Sequence, residues 1–186
     1  MTRRKPKIIL SNGKLTYWYK NGLIMSEEVW KDGEQFCSYK NGKRKSNENY
    51  KENKLDGKST YWYKNGQKKS EKNYKDNELN GKSTSWYENG QIEAEVNWKN
   101  YEFDGKSTYW HENGQIEGEG NYKEGKKDGK QTEWYENRRI KSEENWKEGK
   151  EDGKFTEWSK YGRVKKEGFY KDGVCISGDC DYFKDL

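Results

Sequence analysis

One histidine, three cysteines and a set of evenly spaced carboxylates are the residues of this 186-residue chain whose types could do chemistry. A lone His111 leaves no nucleophile–base pair to propose, and neither a Gly-x-Gly-x-x-Gly nor a Gly-x-x-x-x-Gly-Lys-[Ser/Thr] phosphate loop occurs. Cys37, Cys175 and Cys180 lack the spacing of a four-ligand zinc site. No metal and no other cofactor is expected, and the thiols near the chain end read as reduced, with a Cys175–Cys180 pairing left open. Glu71, Glu95, Glu119, Glu143 and Glu167 stand 24 residues apart. A catalytic dyad breaks symmetry, whereas these acids repeat, so they read as a solvated ladder. The expected class is a binding protein and not an enzyme.

What places these residues is a repeat. Gly-Lys recurs at Gly57, Gly81, Gly105, Gly129 and Gly153, always 24 residues on, with Gly33 one period earlier. Gly13 opens a copy shortened by four residues, and Gly173 opens a degenerate last one. Counting each glycine as position zero, +5 is Trp18, Ser38, Trp62, Trp86, Trp110, Trp134 and Trp158. Position +17 is Trp30, Tyr50, Tyr74, Trp98, Tyr122, Trp146 and Tyr170. The two columns hold all nine tryptophans, which makes the aromatics architectural. Self-similarity at a fixed period marks an array whose units bury their faces against neighbours.

Each unit reads as a β-hairpin, because Asn65-Gly66, Asn89-Gly90 and Asn113-Gly114 separate two β-prone runs. A second turn is expected at Leu55-Asp56-Gly57, Asn80-Gly81 and Asp104-Gly105. A two-residue loop would set Trp at +5 opposite charged +12, whereas a three-residue loop sets it opposite +11, which is Ile92, Ile116 and Ile140. The latter is preferred, with the turn glycine left-handed. It predicts one face of Thr +3, Trp +5, Ile +11, a small +13 and the aromatic +17. The other face would hold Ser +2, Tyr +4 and +6, Gln +10, Glu +14 and Asn +16. The expected fold is all-β: a single-layer antiparallel meander of about seven hairpins, elongated and curved, on the order of 70 Å long at ~4.8 Å per strand.

Composition agrees with such an array. Leu, Ile, Val and Phe make only 22 of 186 residues, so a conventional aliphatic core is excluded, and aromatics must supply the apolar area. The net charge of +5 is mostly a basic tail, residues 1–12, with Arg3, Arg4, Lys5 and Lys7. The rest is nearly neutral, and a nucleic-acid partner is not expected. Ile8-Ile9-Leu10 is too short for a signal-peptide core, so a cytoplasmic location is expected. Residues 13–173 form the array, and 174–186 a C-terminal cap or tail.

The run Gly-Lys-Ser-Thr-Tyr-Trp-Tyr-Lys-Asn-Gly-Gln from Gly57, followed by Glu71 and Tyr74, resembles the bacterial variant of the MORN repeat. Gly81 to Trp98 and Gly105 to Tyr122 match nearly as well. Arg138 departs from the pattern where the turn glycine belongs, as do Ser38 and Ser159 at aromatic positions. The resemblance implies a binding module similar to antitoxins of toxin–antitoxin systems, with a toxin as its protein partner. A lipid- or membrane-associated scaffold, and self-assembly into a homo-oligomer through open end strands, are the alternatives. Candidate partner-binding residues are Tyr61, Tyr63, Tyr87, Tyr109, His111 and Tyr135, with Glu71, Glu95 and Glu119 in support. These tyrosine columns fade toward Glu133, Glu157 and Ser159, whereas Trp +5 persists through Trp158. The structural ladder is Trp62, Trp86, Trp110, Trp134 and Trp158 with Tyr74, Trp98, Tyr122 and Trp146.

Overall fold

A computed structural model describes residues 13–18, 24–31, 33–39 and 41–179. The basic tail 1–12 lies outside them, as does 180–186 of the C-terminal segment. Strands β1 (Gly13–Trp18), β2 (Ile24–Lys31), β3 (Glu34–Ser38), β4 (Arg44–Lys51), β5 (Lys54–Leu55) and β6 (Gly57–Trp62) open the chain. They are followed by β7 (Lys68–Lys75), β8 (Glu78–Leu79), β9 (Gly81–Trp86), β10 (Ile92–Lys99), β11 (Glu102–Trp110) and β12 (Ile116–Lys123). Last come β13 (Lys126–Trp134), β14 (Ile140–Lys147), β15 (Lys150–Glu151), β16 (Gly153–Trp158), β17 (Val164–Lys171) and β18 (Val174–Gly178). Neighbours in sequence pair antiparallel from end to end, so the molecule is an open, all-β meander.

The hairpin loop is the three-residue kind. In the second full repeat Tyr63 N–H donates to Gln67 O at 2.8 Å and Gly66 N–H to Tyr63 O at 3.0 Å, with Gly66 at φ 97°. Trp86, Trp110 and Trp134 consequently stand opposite Ile92, Ile116 and Ile140. Arg138 keeps the same turn with φ 66°, at a cost of ~1 kcal/mol for a side chain in that region.

One residue further on, the register departs from expectation. Trp110 pairs with Ile116, but Tyr109 pairs with Gly118, which leaves Glu117 unmatched in a bulge. The same slip occurs at Lys69, Glu93, Lys141 and Lys165, always at position +12. A slip of one exchanges every following side chain between faces. Thr +3 therefore opposes Glu +14 and not +13, and the aromatic +17 leaves the tryptophan face. Trp62 to Trp158 share their face with Thr +3, Ile +11, Glu +14 and Asn +16. Tyr74, Trp98, Tyr122 and Trp146 share the opposite, tyrosine face with Ser +2 and Tyr +4.

The second turn is also displaced. It is a two-residue turn three to four residues before the expected place, at Glu52-Asn53, Asp76-Asn77 and Asn100-Tyr101, where both φ angles are positive. That geometry matches the right-handed twist of paired strands. Asp56–Gly57 and Asn80–Gly81 interrupt the returning strand instead, and Asp104–Gly105 marks a register shift within β11: Asp56 N–H reaches back to Asn49 O at 3.0 Å and Gly57 takes φ 101°.

Cross-strand rows hold the array. Along the tryptophan face, Thr60, Glu71, Thr84, Glu95, Thr108, Glu119, Thr132, Glu143, Thr156 and Glu167 oppose one another in sequence. On the tyrosine face, Trp98 stacks on Phe103 at 4.5 Å, and Phe103 on Tyr122 at 5.1 Å. The Lys127 ammonium lies 4.3 Å over Trp146. Among the described residues the buried apolar side chains are Val96, Phe155 and Tyr170, whereas Ser59 and Ser107 are fully buried. In this open single layer, local ring stacking and lysine stems cover part of the apolar surface. The expectation of reduced thiols is corrected at Cys175, on the final paired strand, which is disulfide-bonded. Cys37 is the free cysteine, and part-burial raises its pKa.

Candidate functional site

The +6 column is an inter-hairpin strut. Tyr39, Tyr63, Tyr87 and Tyr135 donate their hydroxyls to the carbonyls of Trp62, Trp86, Trp110 and Trp158 at 2.7, 2.8, 2.6 and 2.8 Å. His111 does the same with Nε2, 3.1 Å from Trp134 O, and since a carbonyl only accepts, that nitrogen carries the hydrogen. The column ends at Ser159, in the last full repeat, where Gly178 stands at the next +5 position.

Position +4 behaves differently. Tyr61 stands between Ser46 and Ser70, and Tyr109 between Ala94 and Gly118, so a large ring lies over small neighbours. Burial pushes both phenols above their ordinary pKa, and the Glu48 carboxylate adds to the rise at Tyr61. Glu71, Glu95 and Glu119 lie on the other face, each tied to the lysine of its own hairpin. Lys58, Lys82 and Lys106 approach them at 3.4, 2.7 and 2.7 Å. At Glu71 the Lys68 ammonium and then Lys58 hold the carboxyl below its ordinary pKa. These acids do not converge with the tyrosines.

Where the columns break, a groove opens. A depression of about 680 Å³ lies over β11–β14 on the tyrosine face, lined among others by Tyr109, His111, Glu117, Gly118, Glu133, Tyr135, Glu136, Lys141 and Lys160. Two substitutions within the repeat make it. Gly118 stands where other copies have Ser70, Ala94 and Ser142, and Glu133 replaces a +4 tyrosine. A Cβ on Gly118 would meet only Thr132 O at 3.7 Å and Glu133 Cγ at 4.0 Å, so the space above it is open. Glu133 does not fill it, because Lys141 draws its carboxylate into an ion pair at 2.8 Å.

Of the sequence candidates the groove gathers Tyr109, His111 and Tyr135, while Tyr61, Tyr63 and Tyr87 lie on the same face outside it. Glu117, Gly118, Glu133 and Lys141 were not singled out from the sequence. Their signal was present as departures from column identity, but finding it required the bulge that places +12 and +13 beside +4 and +6. The groove offers aromatic edges, the carboxylates of Glu117 and Glu136, which make no ion pair among the described residues, and a paired Glu133–Lys141 couple. That is equipment for recognition. Among the described residues no group of three or more His, Cys, Asp or Glu side chains is placed to hold a metal ion.

Comparison with known proteins agrees with the architecture. The family model described as the MORN repeat variant matches residues 31–52, 55–76, 79–100 and 103–124. No curated protein matches the chain. Each matched segment contains the strand residues that lead to Trp or Ser at +5 and ends in the two-residue turn. The same tryptophan–aliphatic pairing continues past them at Trp134–Ile140 and Trp158–Val164. The MORN repeat variant is thus matched as four tandem copies within residues 31–124.

Proposed function

We propose that this chain is a protein-binding module without catalysis of its own, and that its partner sits in the groove over β11–β14. MORN repeats are modules that often bind proteins or membranes. The observation that carries the reading is the local break in symmetry. Repeat columns report the fold, whereas here a glycine at +13, Gly118, stands opposite an acid at +4, Glu133, and the two open one groove between Tyr109, His111 and Tyr135. Following the resemblance to antitoxins, the partner is a toxin polypeptide that the module restrains. A protein is favoured over an anionic membrane by the charge rows. Lys82, Lys106, Lys130 and Lys154 are each neutralised by a glutamate at 2.7–3.0 Å, so the tryptophan face carries no basic stripe there.

Gly118→Val tests this. The side chain fills the groove without backbone strain, and valine suits a strand better than glycine. The full chain and the variant would be compared for binding of the polypeptide encoded beside the gene, together with thermal unfolding. The expected result is binding lost with an unchanged or raised melting temperature. Equal binding by a folded variant overturns the groove as the site.

A further inference from the structure

The tyrosine face carries a row in which +6 rings alternate with +12 bulge residues. Its members along the array are Lys69, Glu93, Glu117, Lys141 and Lys165, interleaved with Tyr63, Tyr87, His111 and Tyr135. The alternation is physical. Lys69 Nζ lies 5.6 Å over the Tyr63 ring of its own hairpin, and Glu93 holds the same +12 bulge place in the hairpin of Tyr87. The Tyr87 hydroxyl donates to Trp110 O, and the cross-strand partner of Trp110, Ile116, directly precedes Glu117. Tyr87 therefore has a carboxylate toward each neighbour along the row, and after burial these charges, with Glu112, raise its pKa.

Those two carboxylates differ from the +4 acids of this face. Glu133 and Glu157 are paired with Lys141 and Lys165. Glu93 and Glu117 are exposed and make no ion pair among the described residues. The neighbouring hairpin already shows what completes such a place, since there the chain seats its own ammonium on the ring. At Tyr87 the equivalent residue is an acid, so the ring face and both carboxylates are left for a cation from outside. Glu117 also lines the groove, which makes the two places continuous.

We infer that the Tyr87 ring, between Glu93 and Glu117, seats an arginine or lysine side chain of a basic segment of the bound polypeptide, whose neighbouring residues run on into the groove. The inference rests on the protein-binding reading above and adds the charge of the partner. A cation over an aromatic face gains from the ring quadrupole, and two flanking carboxylates reinforce it where water is partly excluded.

The probe is a blocked octapeptide alternating arginine and glycine, with a glutamate–glycine octapeptide as control, titrated calorimetrically into the full chain at low ionic strength. The arginine peptide is expected to bind and the glutamate peptide not to. Glu93→Gln with Glu117→Gln should weaken binding at least tenfold. Glu93→Lys, which copies the Lys69 arrangement onto Tyr87, should abolish it. Glu95→Gln with Glu119→Gln makes the same charge change on the opposite face and should leave affinity unaltered. Melting curves check that each variant is folded. An arginine peptide that ignores the parent chain, or binds the Glu93/Glu117 double variant as tightly as the parent, overturns the inference. If Gly118→Val loses the partner while the double variant keeps both peptide and partner, the groove stands and the cation seat falls. If peptide binding follows the carboxylates but Gly118→Val keeps its partner, the seat stands and the groove reading falls.

Discussion

Replacing Tyr63, Tyr87 and Tyr135 together by phenylalanine removes three hydroxyls and leaves three rings. Each hydroxyl donates to a tryptophan carbonyl of the next hairpin at 2.6–2.8 Å, and each side chain is partly buried. A hydrogen bond of this kind contributes ~1 kcal/mol net. Adjacent sites are two strands apart, ~9.6 Å at ~4.8 Å per strand, which is far enough for their effects to add. The triple variant should therefore lose about 3 kcal/mol, and each single variant about 1 kcal/mol. Because an array's stability is a sum of unit and interface terms, the loss falls on the contacts between hairpins and should also broaden the transition. Urea unfolding followed by tryptophan fluorescence reads both quantities. A triple variant within about 0.5 kcal/mol of the parent would show that these hydroxyls exchange protein for water at no net gain. The column would then be free for binding, contrary to the strut assignment.

Further outcomes follow from single atoms. Ser107 Oγ is buried with no hydrogen-bond partner, so Ser107→Ala should be neutral or stabilise by up to ~1 kcal/mol in thermal unfolding. Arg138→Gly removes a side chain from a left-handed position and should stabilise by ~1 kcal/mol in urea unfolding. Burial, and then the Glu144 charge, raise the Glu151 pKa. A carboxyl raised in the folded state costs stability as pH rises through that value, so Glu151→Gln should raise the melting temperature at pH 7. The gain, below ~1 kcal/mol because solvent screens the site, should vanish below pH ~4. Tyr61 is raised as well, which places its contribution below the ordinary tyrosine pKa of ~10, to be lost at higher pH. The part of the phenolate absorbance that Tyr61→Phe removes should accordingly rise together with unfolding and not before it.

The parts of the fold legible in the sequence were those with a local cause. Asn65-Gly66 and its copies specify a loop by backbone conformation alone, and Trp110 opposite Ile116 follows from that loop. The bulge was not legible because both registers weighed for the hairpin are present. Trp +5 meets +11 beside the loop, and beyond the bulge each pair has the spacing of the rejected two-residue loop. No composition of +12 announces this, since Lys69 and Glu93 both stand there. The displaced turn at Asn100-Tyr101 escaped for a related reason. Asp104-Gly105 has the stronger turn signature, but its glycine serves a register shift within a strand. Candidate residues inherited these errors: Tyr109 and His111 fell on the expected face, whereas Glu71, Glu95 and Glu119 fell with the tryptophans.

The bulge also explains where a repeat array of this kind can store specificity. Thr +3 and Glu +14 are committed to the rows that join hairpins, and the +6 rings are committed to tryptophan carbonyls. A bulge residue has no residue directly opposite it in the backbone ladder, yet its side chain stands beside a ring on one face. It is the position at which charge can change at the smallest structural cost. The chain uses that freedom, with lysine at 69, glutamate at 93 and 117, and lysine at 141 and 165. A segment lying along the face would meet this order of charges at intervals of two strands, ~9.6 Å, or about three residues of extended chain at ~3.3 Å each. A partner basic at one point and acidic about six residues further along fits that order from Tyr87 to Lys141. Exchanging the charges, with Glu93→Lys and Glu117→Lys against Lys141→Glu, should reverse the polarity of the preferred peptide while the hairpins remain intact.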